Sequence, residues 1–467
     1  MTASDLMNTS DPAISPWKPC DLRGTFPKAV SEDLFHRVGR AIGSEIAKGA
    51  RAVEGGDIRL STPVLKAALI KGLASTGVHV TDVGQIPTPV IYFHANRVEA
   101  AALFVVTASH NPAADNGLKW MIGSRPPEPD DIQRIRHAAE SEEFREGAGS
   151  VEIVDALPRY REWVLSRWSG KPWRNIGRIV LDAGNGAWSG IGEAILRELG
   201  CDVECLFCSP DGSFPNRSPD CARTANLAAL RSAVVRSEAS LGIAWDGDGD
   251  RVAFIDESGS HVSTDEISIL FAGHVLKDAR SREHVVCDVK LSDAVRRQVL
   301  LNGGTPVVER SGHAFMRRRF LETDAVLGLD ACGHYFFRQA GSRDDGLHSA
   351  LVMLSMLNGA STLGDFRRSI PPIYSTPELR VPERLLDFSA VRDRMRAAFP
   401  RAEESDVDGY AARVGRRRRA GARVEHGAGN LDAHRRILRA RLQQTSGPLF
   451  ERLAGSSRPA LGSDRLL

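Results

Sequence analysis

The spacing of apolar residues predicts an alternation of helices and strands along most of the chain. In residues 31–49 apolar side chains recur every three to four positions, the pattern of an amphipathic helix, and Ser31 and Glu32 stand at its start. By the same criteria we predict further helices at 63–73 and near 130–145, and strands at 78–83 and 100–106. The strand at 100–106 is short and apolar enough to be buried on both faces.

The alternation recurs twice more, up to about residue 376. The second repeat has a strand beginning at Arg178 that enters a glycine turn, a helix at 191–199, and strands at 239–245 and 252–255. The third has a helix at 265–277, strands at 285–289 and 306–309 with a helix between them, and the segment 327–337. Residues 361–376 are interpreted as a linker. This alternation is typical of α/β domains built from parallel units.

Length and composition bound the class of protein. The chain has 467 residues, which corresponds to three or four domains of about 100–150 residues each. It is 42% hydrophobic and 26% charged with a net charge of +2, so nothing indicates a nucleic-acid or membrane partner. The polar N-terminus does not have the pattern of a signal peptide, and no apolar run approaches the ~20 residues of a bilayer span. We expect a cytoplasmic protein.

The seven cysteines are scattered, and only Cys205 and Cys208 have a motif-like spacing. This pair could be half of a zinc site or a redox pair. It lies in a predicted strand, and no second pair follows at zinc spacing. The favoured interpretation is that these are reduced, buried thiols.

Three aspartates at alternate positions, Asp246, Asp248 and Asp250, lie between two predicted strands, with a glycine after each of the first two. Glycine allows the backbone to fold tightly enough for the carboxylates to converge, and hard oxygen ligands suit Mg²⁺. An EF-hand loop is disfavoured, because its sixth position would be Arg251 instead of glycine and a strand follows. We therefore predict a divalent metal site.

A polar turn carrying Ser109 and His110 follows the strand at 100–106, and Lys119 comes shortly after it. No G-x-S-x-G motif surrounds Ser109, so a serine-hydrolase elbow is unsupported. By itself the turn could be a simple capping turn. A phosphorylated serine beside a metal ion held by aspartates, however, can transfer phosphate between oxygens. The two segments together indicate phosphoryl transfer.

A second glycine-rich segment begins at Gly184, after the strand that starts at Arg178. Its glycine spacing is one residue too long for a dinucleotide-binding fingerprint. We interpret it as a tight strand-to-helix turn.

The chain resembles the α-D-phosphohexomutase superfamily over about residues 15–409, and its layout is closest to that of bacterial phosphomannomutase/phosphoglucomutase. The shared motifs are Asp21-Leu-Arg-Gly, Thr107-Ala-Ser-His-Asn-Pro, Asp115-Asn-Gly-Leu-Lys, Asp182-Ala-Gly-Asn-Gly, Asp246-Gly-Asp-Gly-Asp-Arg, Ser311-Gly-His and Cys332-Gly-His-Tyr-Phe-Phe. The resemblance implies three similar mixed α/β domains around a central cleft and a smaller C-terminal domain, here aberrant. We place the domains at residues 1–160, 161–260, 261–370 and 371–467, carrying in turn the phosphoserine, the metal site, sugar recognition and the C-terminal domain.

The resemblance also implies roles for individual residues. Ser109 would be phosphorylated and would bind Mg²⁺ together with Asp246, Asp248 and Asp250. Lys119 would transfer a proton, and His110 and Arg251 would support the phosphoserine. The substrate would be contacted by Arg23, Lys290, His313, Asp330, Cys332 and His334. The phosphoryl group would pass from Ser109 to a hexose 1- or 6-phosphate, giving a hexose 1,6-bisphosphate that reorients and returns its other phosphate.

The chain departs from the family pattern in its sugar-recognition loop. The family has Gly-Glu-x-Ser-Gly-His, whereas this chain has Leu329-Asp-Ala-Cys-Gly-His. Asp330 is one methylene shorter than glutamate, and the Cys332 thiol is a poor replacement for a hydroxyl donor. We expect weaker contacts to the sugar hydroxyls.

A second departure concerns the C-terminal region. The family's fourth domain carries a Ser-x-Thr-Glu/Thr-Pro phosphate-binding loop, and nothing after Tyr410 contains it. The region from Tyr410 onward instead has 13 arginines, no lysine and four acidic residues. One hypothesis is a shift of reading frame near 408–415, which the coding DNA would test. The alternatives are a solvated basic tail or an anion-binding patch.

These patterns predict a phosphohexomutase acting on glucose or mannose phosphates, impaired by its altered C-terminus. Two alternatives stay open: a phosphosugar phosphatase and a non-catalytic phosphosugar-binding protein. The expected partner is a small phosphosugar, with no nucleic acid and no membrane, and the expected state is a monomer or weak dimer.

Overall fold

A computed structural model describes residues 15–277, 282–341, 343–357, 361–370, 372–373, 387–405, 407–408 and 411–413. The chain forms two compact units, Met1–Ile373 and Tyr374–Leu467. Within the described residues, the first unit contains three sheets, and all the predicted site residues belong to it.

The first sheet has six strands in the order β1-β5-β4-β2-β3-β6. The strands are β1 (Leu22–Thr25), β2 (Arg51–Gly56), β3 (His79–Gln85), β4 (Ala102–Val106), β5 (Asp115–Ile122) and β6 (Val151–Ile153). The helices of this region are α1 (Glu32–Glu45), α2 (Thr62–Ala74), α3 (Thr88–Arg97) and α4 (Pro129–Ser141). Ser31 caps α1 by accepting a hydrogen bond from the amide of Leu34, as the sequence predicts for a helix start. Strand β4 is buried at every position, which confirms its prediction as a buried strand.

Helix α5 (Leu157–Trp168) leads to the second sheet, which has five strands in the order β11-β10-β9-β7-β8. Its strands are β7 (Arg178–Asp182), β8 (Asp202–Leu206), β9 (Leu241–Trp245), β10 (Val252–Asp256) and β11 (His261–Val262), and its helices are α6 (Ile191–Glu198) and α7 (Ala228–Arg236). Strands β9 and β10 form an antiparallel pair, so the acidic motif lies on the short connection between them.

The third sheet has the order β13-β12-β14-β15-β16. Its strands are β12 (His284–Asp288), β13 (Thr305–Glu309), β14 (Leu327–Leu329), β15 (Tyr335–Phe337) and β16 (Arg343–Asp344). Its helices are α8 (Thr264–Leu276), α9 (Asp293–Leu301), α10 (His313–Glu322), α11 (Gly346–Leu357) and α12 (Leu363–Ser369). In the second unit, the described elements are α13 (Phe388–Ala398) and the antiparallel pair β17 (Glu403–Ser405) and β18 (Ala411–Arg413).

One apolar core joins the three sheets of the first unit. It contains Phe93 of α3, Tyr160 of α5, Trp188 and Trp245 of the second sheet region, and Phe337 of the third. The Tyr160 ring lies 5.5 Å from that of Phe93 and 5.8 Å from that of Trp188. Its hydroxyl donates a 2.7 Å hydrogen bond to Asp345, just before α11. Helix α5 therefore lies where the three sheets meet, and its burial fixes their positions relative to one another.

Two sequence interpretations of the secondary structure need correction. The alternation of elements predicts parallel units, whereas the sheets are mixed, because β5, β10, β15 and β16 each pair antiparallel with a neighbour. This finding confirms the three mixed α/β domains that the family resemblance implies. The expected linker at 361–376 contains helix α12, which begins with a capping box between Thr362 and Asp365. Arg367 of this helix pairs with Asp256 and Glu266. Tertiary contacts thus stabilise a helix too short to show a clear periodicity.

The prediction of reduced, buried thiols is wrong for Cys205 and Cys208, which form a disulfide. Cys205 lies on β8, and the positive φ of 54° at Phe207 turns the chain back on itself. The two Cα atoms are 6.1 Å apart, inside the range of about 4.4–6.8 Å for disulfides. Both cysteines are half-buried.

Among the residues that the structure describes, no helix combines the length and the hydrophobicity needed to cross a bilayer. The arginine-rich run and the segment of the frame-shift hypothesis lie outside the described residues, apart from 407–408 and 411–413. The sequence hypothesis about that region stays a prediction.

Candidate active site

Ser109 lies on the buried turn that follows strand β4. Its backbone is in the left-handed region, with φ of 51°, which is uncommon for a residue other than glycine. The amide of Ser109 donates a 2.7 Å hydrogen bond to the hydroxyl of Thr107. Such a conformation persists only where the surroundings determine it, and it is often found at functional sites.

The surroundings of this turn are organised by Arg59, a fully buried residue that the sequence analysis missed. Its guanidinium donates to four carbonyl oxygens of the turn, at 2.7 Å to Ser109, 2.7 Å to Asn111, 2.6 Å to Pro112 and 2.9 Å to Asp115. Its charge is balanced by Asp57, whose carboxylate lies 3.0 Å away. Asp57 also accepts a 2.7 Å hydrogen bond from Thr107. One buried ion pair therefore holds the whole turn.

The three aspartates converge on the connection between β9 and β10. All three are buried, and one carboxylate oxygen from each lies within 4.8 Å of the others. Asp246 Oδ1 accepts hydrogen bonds from the amides of Gly249, at 3.0 Å, and Arg251, at 3.2 Å. The loop thus wraps around its first carboxylate, as the alternate glycines predict.

The two predicted segments meet directly. Ser109 Oγ donates a 2.8 Å hydrogen bond to Asp246 Oδ2, although the two residues are 137 positions apart in the chain. Gly247 makes this approach possible, because a Cβ at that position would lie 2.6 Å from the carbonyl oxygen of Ser109. The serine and the acidic trio therefore belong to one site.

Lys119 of β5 lies between the other two aspartates. Its Nζ is 2.9 Å from Asp248 Oδ2 and 2.6 Å from Asp250 Oδ2. Burial alone would lower the pKa of Lys119, but these two carboxylates raise it well above its usual value. Lys119 is consequently held as an ammonium ion.

The electrostatics of the trio fit a divalent cation. Burial, together with the charges of Asp248 and Asp250, raises the pKa of Asp246 well above its usual value. Asp248 Oδ1 is buried and has no hydrogen-bond partner among the described residues. Three carboxylates with oxygen donors only, beside a serine hydroxyl, form a hard-ligand set of the kind that Mg²⁺ binds.

His334 and Arg251 lie on the opposite side of the acidic loop. His334 Nε2 is 3.2 Å from Asp250 Oδ1, and Nδ1 is 3.2 Å from Asp330 Oδ2. Burial opposes protonation, yet the two carboxylates raise the pKa of His334 to about 10. Arg251 Nε lies 3.1 Å from His334 Nε2. Because an imidazolium cannot accept a hydrogen bond, we assign this last approach as a contact between two cations. Each cation faces a carboxylate of the acidic loop, His334 that of Asp250 and Arg251 that of Asp246, at 3.8 Å.

Asp330 is oriented by contacts within its own loop. Its two oxygens are engaged by His334 and by the backbone amide of Cys332. Although burial raises its pKa, His334 and Arg251 lower it to about 2. Asp330 is therefore ionised and oriented toward His334.

His110 and Arg23 flank the serine turn. Burial and the charges of Arg251 and Arg23 lower the pKa of His110 far below its usual value, so its ring is neutral. Arg23 donates 2.8 Å to Asp21 and makes a long 3.4 Å contact with the carbonyl oxygen of Ala108. His110 follows Ser109 directly on the turn, and Arg23 reaches the same turn at Ala108. The roles predicted for these two residues stay predictions.

A cavity of about 280 Å³ opens beside these groups. Of the predicted site residues, its lining includes Arg23, Lys119, Arg251, His313, Asp330, Cys332 and His334. His313 Nε2 lies 2.7 Å from Asp344. Lys290 follows strand β12, where its backbone amide donates to Asp288, and its charge acts on the Cys332 thiol. Five of the six predicted substrate residues thus line one cavity, and Lys290 does not appear in its lining. Their contacts with a sugar stay a prediction.

The glycine turn after β7 supports the acidic loop and has no dinucleotide-like role in this geometry. The amide of Ala187 donates 2.9 Å to Gly247 O, and Trp188 Nε1 donates 2.8 Å to Gly249 O. Arg217, bound to Asp182, donates 2.7 Å to the carbonyl oxygen of Trp245. The sequence indicated the turn but not these contacts.

The chain belongs to the phosphoglucomutase/phosphomannomutase family. Its residues 18–146 match the family's alpha/beta/alpha domain I, residues 167–259 match domain II, and residues 263–374 match domain III. These matches confirm the resemblance stated from the motifs. The domain boundaries placed at 160, 260 and 370 stay predictions.

Individual relatives agree with this assignment. The chain is 37% identical over 369 residues to a phosphomannomutase/phosphoglucomutase of Pseudomonas aeruginosa, covering 77% of this chain and 78% of that protein. It is 34% identical over 403 residues to a phosphomannomutase of Salmonella typhimurium, covering 84% and 87%. A solved structure of a phosphoglucomutase/phosphomannomutase family protein from Burkholderia thailandensis has a TM-score of 0.79 at 32% identity, covering 86% of this chain and 88% of that one.

Proposed function

We propose that the chain is a Mg²⁺-dependent phosphohexomutase that interconverts the 1- and 6-phosphates of glucose or mannose. The observation that carries the proposal is the 2.8 Å contact between Ser109 Oγ and Asp246, at the edge of a cavity lined by cationic side chains. The names of the related enzymes from Pseudomonas aeruginosa and Salmonella typhimurium support the same reaction.

In the proposed reaction, Ser109 carries a phosphoryl group on Oγ. The bond between phosphorus and Oγ breaks as a bond forms to a hydroxyl oxygen of the hexose phosphate. Ser109 Oγ takes up a proton from Lys119, and the proton that the sugar hydroxyl loses restores the one that Lys119 has given. The product is a hexose 1,6-bisphosphate and a free Ser109. After the bisphosphate reorients, its other phosphoryl group returns to Ser109 Oγ, and the isomeric monophosphate leaves.

The surrounding residues serve this transfer through charge and position. Phosphoryl transfer spreads negative charge over the phosphoryl oxygens, so fixed cations stabilise the transition state. Arg251, Arg23 and the ammonium of Lys119 supply this charge at the cavity wall. Because Lys119 is held protonated, we assign it as a proton donor to the departing oxygen. A Mg²⁺ ion held by Asp246, Asp248 and Asp250 would supply further positive charge at the phosphoserine.

The activity is tested with glucose 1-phosphate and mannose 1-phosphate in coupled assays primed with glucose 1,6-bisphosphate. We expect isomerised product from the wild type and a loss on the order of 10³-fold or more in Ser109→Ala. Ser141→Ala, at the exposed end of α4, is the matched control and should retain activity. Release of inorganic phosphate without isomerisation would support the phosphatase alternative. Ligand-induced thermal stabilisation without turnover would support a binding protein.

Metal binding is tested separately from turnover. Titration calorimetry with Mn²⁺ or Mg²⁺ should give one site in the wild type and at least ~10-fold weaker binding in Asp248→Asn. Asp202→Asn, on the exposed start of β8, is the control. Equal affinities in the wild type and Asp248→Asn would contradict the metal assignment whatever the activity.

A further inference from the structure

We propose that Cys205 and Cys208 form a thiol–disulfide exchange site that controls the order of the metal-binding loop. The partner would be a small monothiol and its disulfide, such as glutathione in its reduced and oxidised forms. The pair takes no part in the chemistry proposed above, and it belongs to the second sheet, not to the substrate cavity. The coupling to the metal loop rests on the proposed function, whereas the exchange reaction itself does not.

The cysteine pair is accessible to a partner. Strand β8 is an edge strand of the second sheet, and both cysteines are half-buried instead of enclosed in the core. The structure also accommodates the reduced state. Cys208 Sγ lies 3.3 Å from the carbonyl oxygen of Leu206, which can accept a hydrogen bond once Cys208 is a thiol. The reduced form therefore has a hydrogen-bond acceptor for the Cys208 thiol within its own segment.

The cysteine segment is bonded to the glycine turn at residues 183–190. The carbonyl oxygen of Phe207, between the two cysteines, accepts a 2.8 Å hydrogen bond from the amide of Asn185 and a 3.3 Å one from Ser189 Oγ. Asn185 Nδ2 donates 2.8 Å to Ser209 O, directly after Cys208. These hydrogen bonds tie the turn to the disulfide loop and to the residue directly after it.

The other side of the same turn is bonded to the metal loop. As described above, Ala187 and Trp188 donate to the carbonyl oxygens of Gly247 and Gly249, which alternate with the three aspartates. The glycine turn therefore lies between the cysteine segment on one side and the metal ligands on the other. Reduction removes the covalent closure of the cysteine segment, so that only these hydrogen bonds hold it against the turn. We expect the loop that places Asp246 against Ser109 to become more mobile as a result.

The exchange reaction needs no reactant other than the two cysteines and the partner disulfide. In oxidation, the thiolate of one cysteine attacks the partner disulfide, forming a mixed disulfide and releasing one partner thiol. The thiolate of the other cysteine then attacks the mixed disulfide, which forms the Cys205–Cys208 bond and releases the second partner thiol. Two electrons pass to the partner disulfide. The two protons that the cysteine thiols lose are taken up, through solvent, by the two released partner thiols.

The experiment compares the full-length protein equilibrated with reduced and with oxidised glutathione. Mass spectrometry after alkylation should show Cys205 and Cys208 protected only in the oxidised form. Hydrogen–deuterium exchange should be faster at residues 183–190 and 245–251 in the reduced form. The dissociation constant for Mn²⁺ should rise about fivefold or more on reduction, the usual size of coupling between two sites.

Three variants make the test specific. The double variant Cys205→Ser, Cys208→Ser should behave alike in both buffers. The single variant Cys205→Ser should accumulate a glutathione adduct at Cys208, because the second step is blocked. Cys201→Ala removes a neighbouring buried cysteine and should keep the full redox response.

Several results would overturn the proposal. The disulfide could fail to form in oxidised glutathione, or it could form without any change in exchange at residues 245–251. The double variant could retain the redox response. Finally, elemental analysis of the reduced protein could find zinc held by the two thiolates and Glu193, whose carboxylate lies close to both sulfurs. Loss of Mn²⁺ binding in both redox forms, with the exchange response intact, would instead count against the metal site.

Discussion

Gly247 packs against the backbone of the serine turn, so its missing side chain has a functional role. A Cβ there would lie 2.6 Å from Ser109 O and 3.0 Å from the Pro219 side chain. Because the first of these is a backbone atom on a constrained turn, we expect Gly247→Ala to separate the two loops. The expected result is a large loss of turnover and a destabilisation of about 1–3 kcal/mol, measured by steady-state kinetics and denaturant unfolding.

The control for this prediction is Gly273→Ala in the interior of α8. A Cβ there meets only Asn302, at 3.7 Å, so the change should leave turnover intact and slightly stabilise the helix. Wild-type turnover in Gly247→Ala would show that the two loops tolerate separation.

The buried Arg59 should contribute strongly to the stability of the protein. Arg59→Met removes the donor to four carbonyl oxygens and leaves the carboxylate of Asp57 buried without its cation. We expect a loss of about 3–5 kcal/mol in the free energy of unfolding, measured with urea. Arg136→Met breaks an exposed pair with Glu140 on α4 and should change stability by less than about 1 kcal/mol. Similar effects of the two substitutions would contradict the role assigned to Arg59.

The sequence predicted the residues of the candidate site better than the residues that hold them in place. Ser109 and the aspartates stand in compact motifs whose spacing has a direct chemical meaning. Arg59 and Asp57 act through contacts with residues 50 or more positions away, and nothing in their local pattern distinguishes them from a surface ion pair. The disulfide was not predicted for a similar reason. The two cysteines come together through the turn at Phe207, which the strand periodicity does not indicate.

At the scale of elements, helix α12 depends on its contacts with neighbouring elements. Thr362 caps the helix and also donates a 2.6 Å hydrogen bond to Glu257, near the end of β10. Thr362→Ala should therefore lower the free energy of unfolding by about 1–2 kcal/mol, measured with urea. Ser369→Ala at the exposed end of the same helix should change it by less than about 0.5 kcal/mol. Equal effects would mean that the cap contributes nothing beyond a surface hydroxyl.

The existence of most strands and helices was predictable, whereas the direction of the strands was not. An apolar run shows that a strand is buried, but it contains no information on whether its neighbour is parallel. Strand β5 turns back beside β4, and β15 beside β14, through connections whose geometry the apolar pattern does not reveal. Helix α12 was missed because seven residues are too few to show a periodicity.

At the scale of the whole molecule, a buried carboxyl group gives the stability a pH dependence. Glu54 on β2 lies 3.0 Å from Lys66, which also pairs with Asp82. Burial raises the pKa of Glu54 from 4.5 to about 7, even though Lys66 opposes the shift. Between these two pKa values the folded protein retains a proton that the unfolded chain has lost. This contribution to stability is present below pH 4.5 and disappears as the pH rises toward 7.

We therefore expect the difference in unfolding free energy between the wild type and Glu54→Gln to depend on pH. As the pH rises from 5 to 7, the wild type should lose about 1–3 kcal/mol relative to the variant, which cannot titrate at this position. Urea unfolding at a series of pH values measures this difference. A constant difference across the range would show that Glu54 titrates normally.

The fold of the first unit was predictable as a whole because its motifs are specific to one family. The region after Tyr410 was not, since its arginine-rich composition matches no element pattern. The relative positions of the three sheets were not predictable either. They depend on contacts of Tyr160 with Phe93, Trp188 and Asp345, which are far apart in the sequence.

The position of helix α5 has a consequence for how this protein can evolve. Because the Tyr160 side chain contacts all three sheet regions, none of these regions could be exchanged for a homologous module without repacking its contact with the other two. We therefore expect recombination within the family to give folded proteins when the three sheet regions are inherited together. A chimera that exchanges one of them alone should fail to fold.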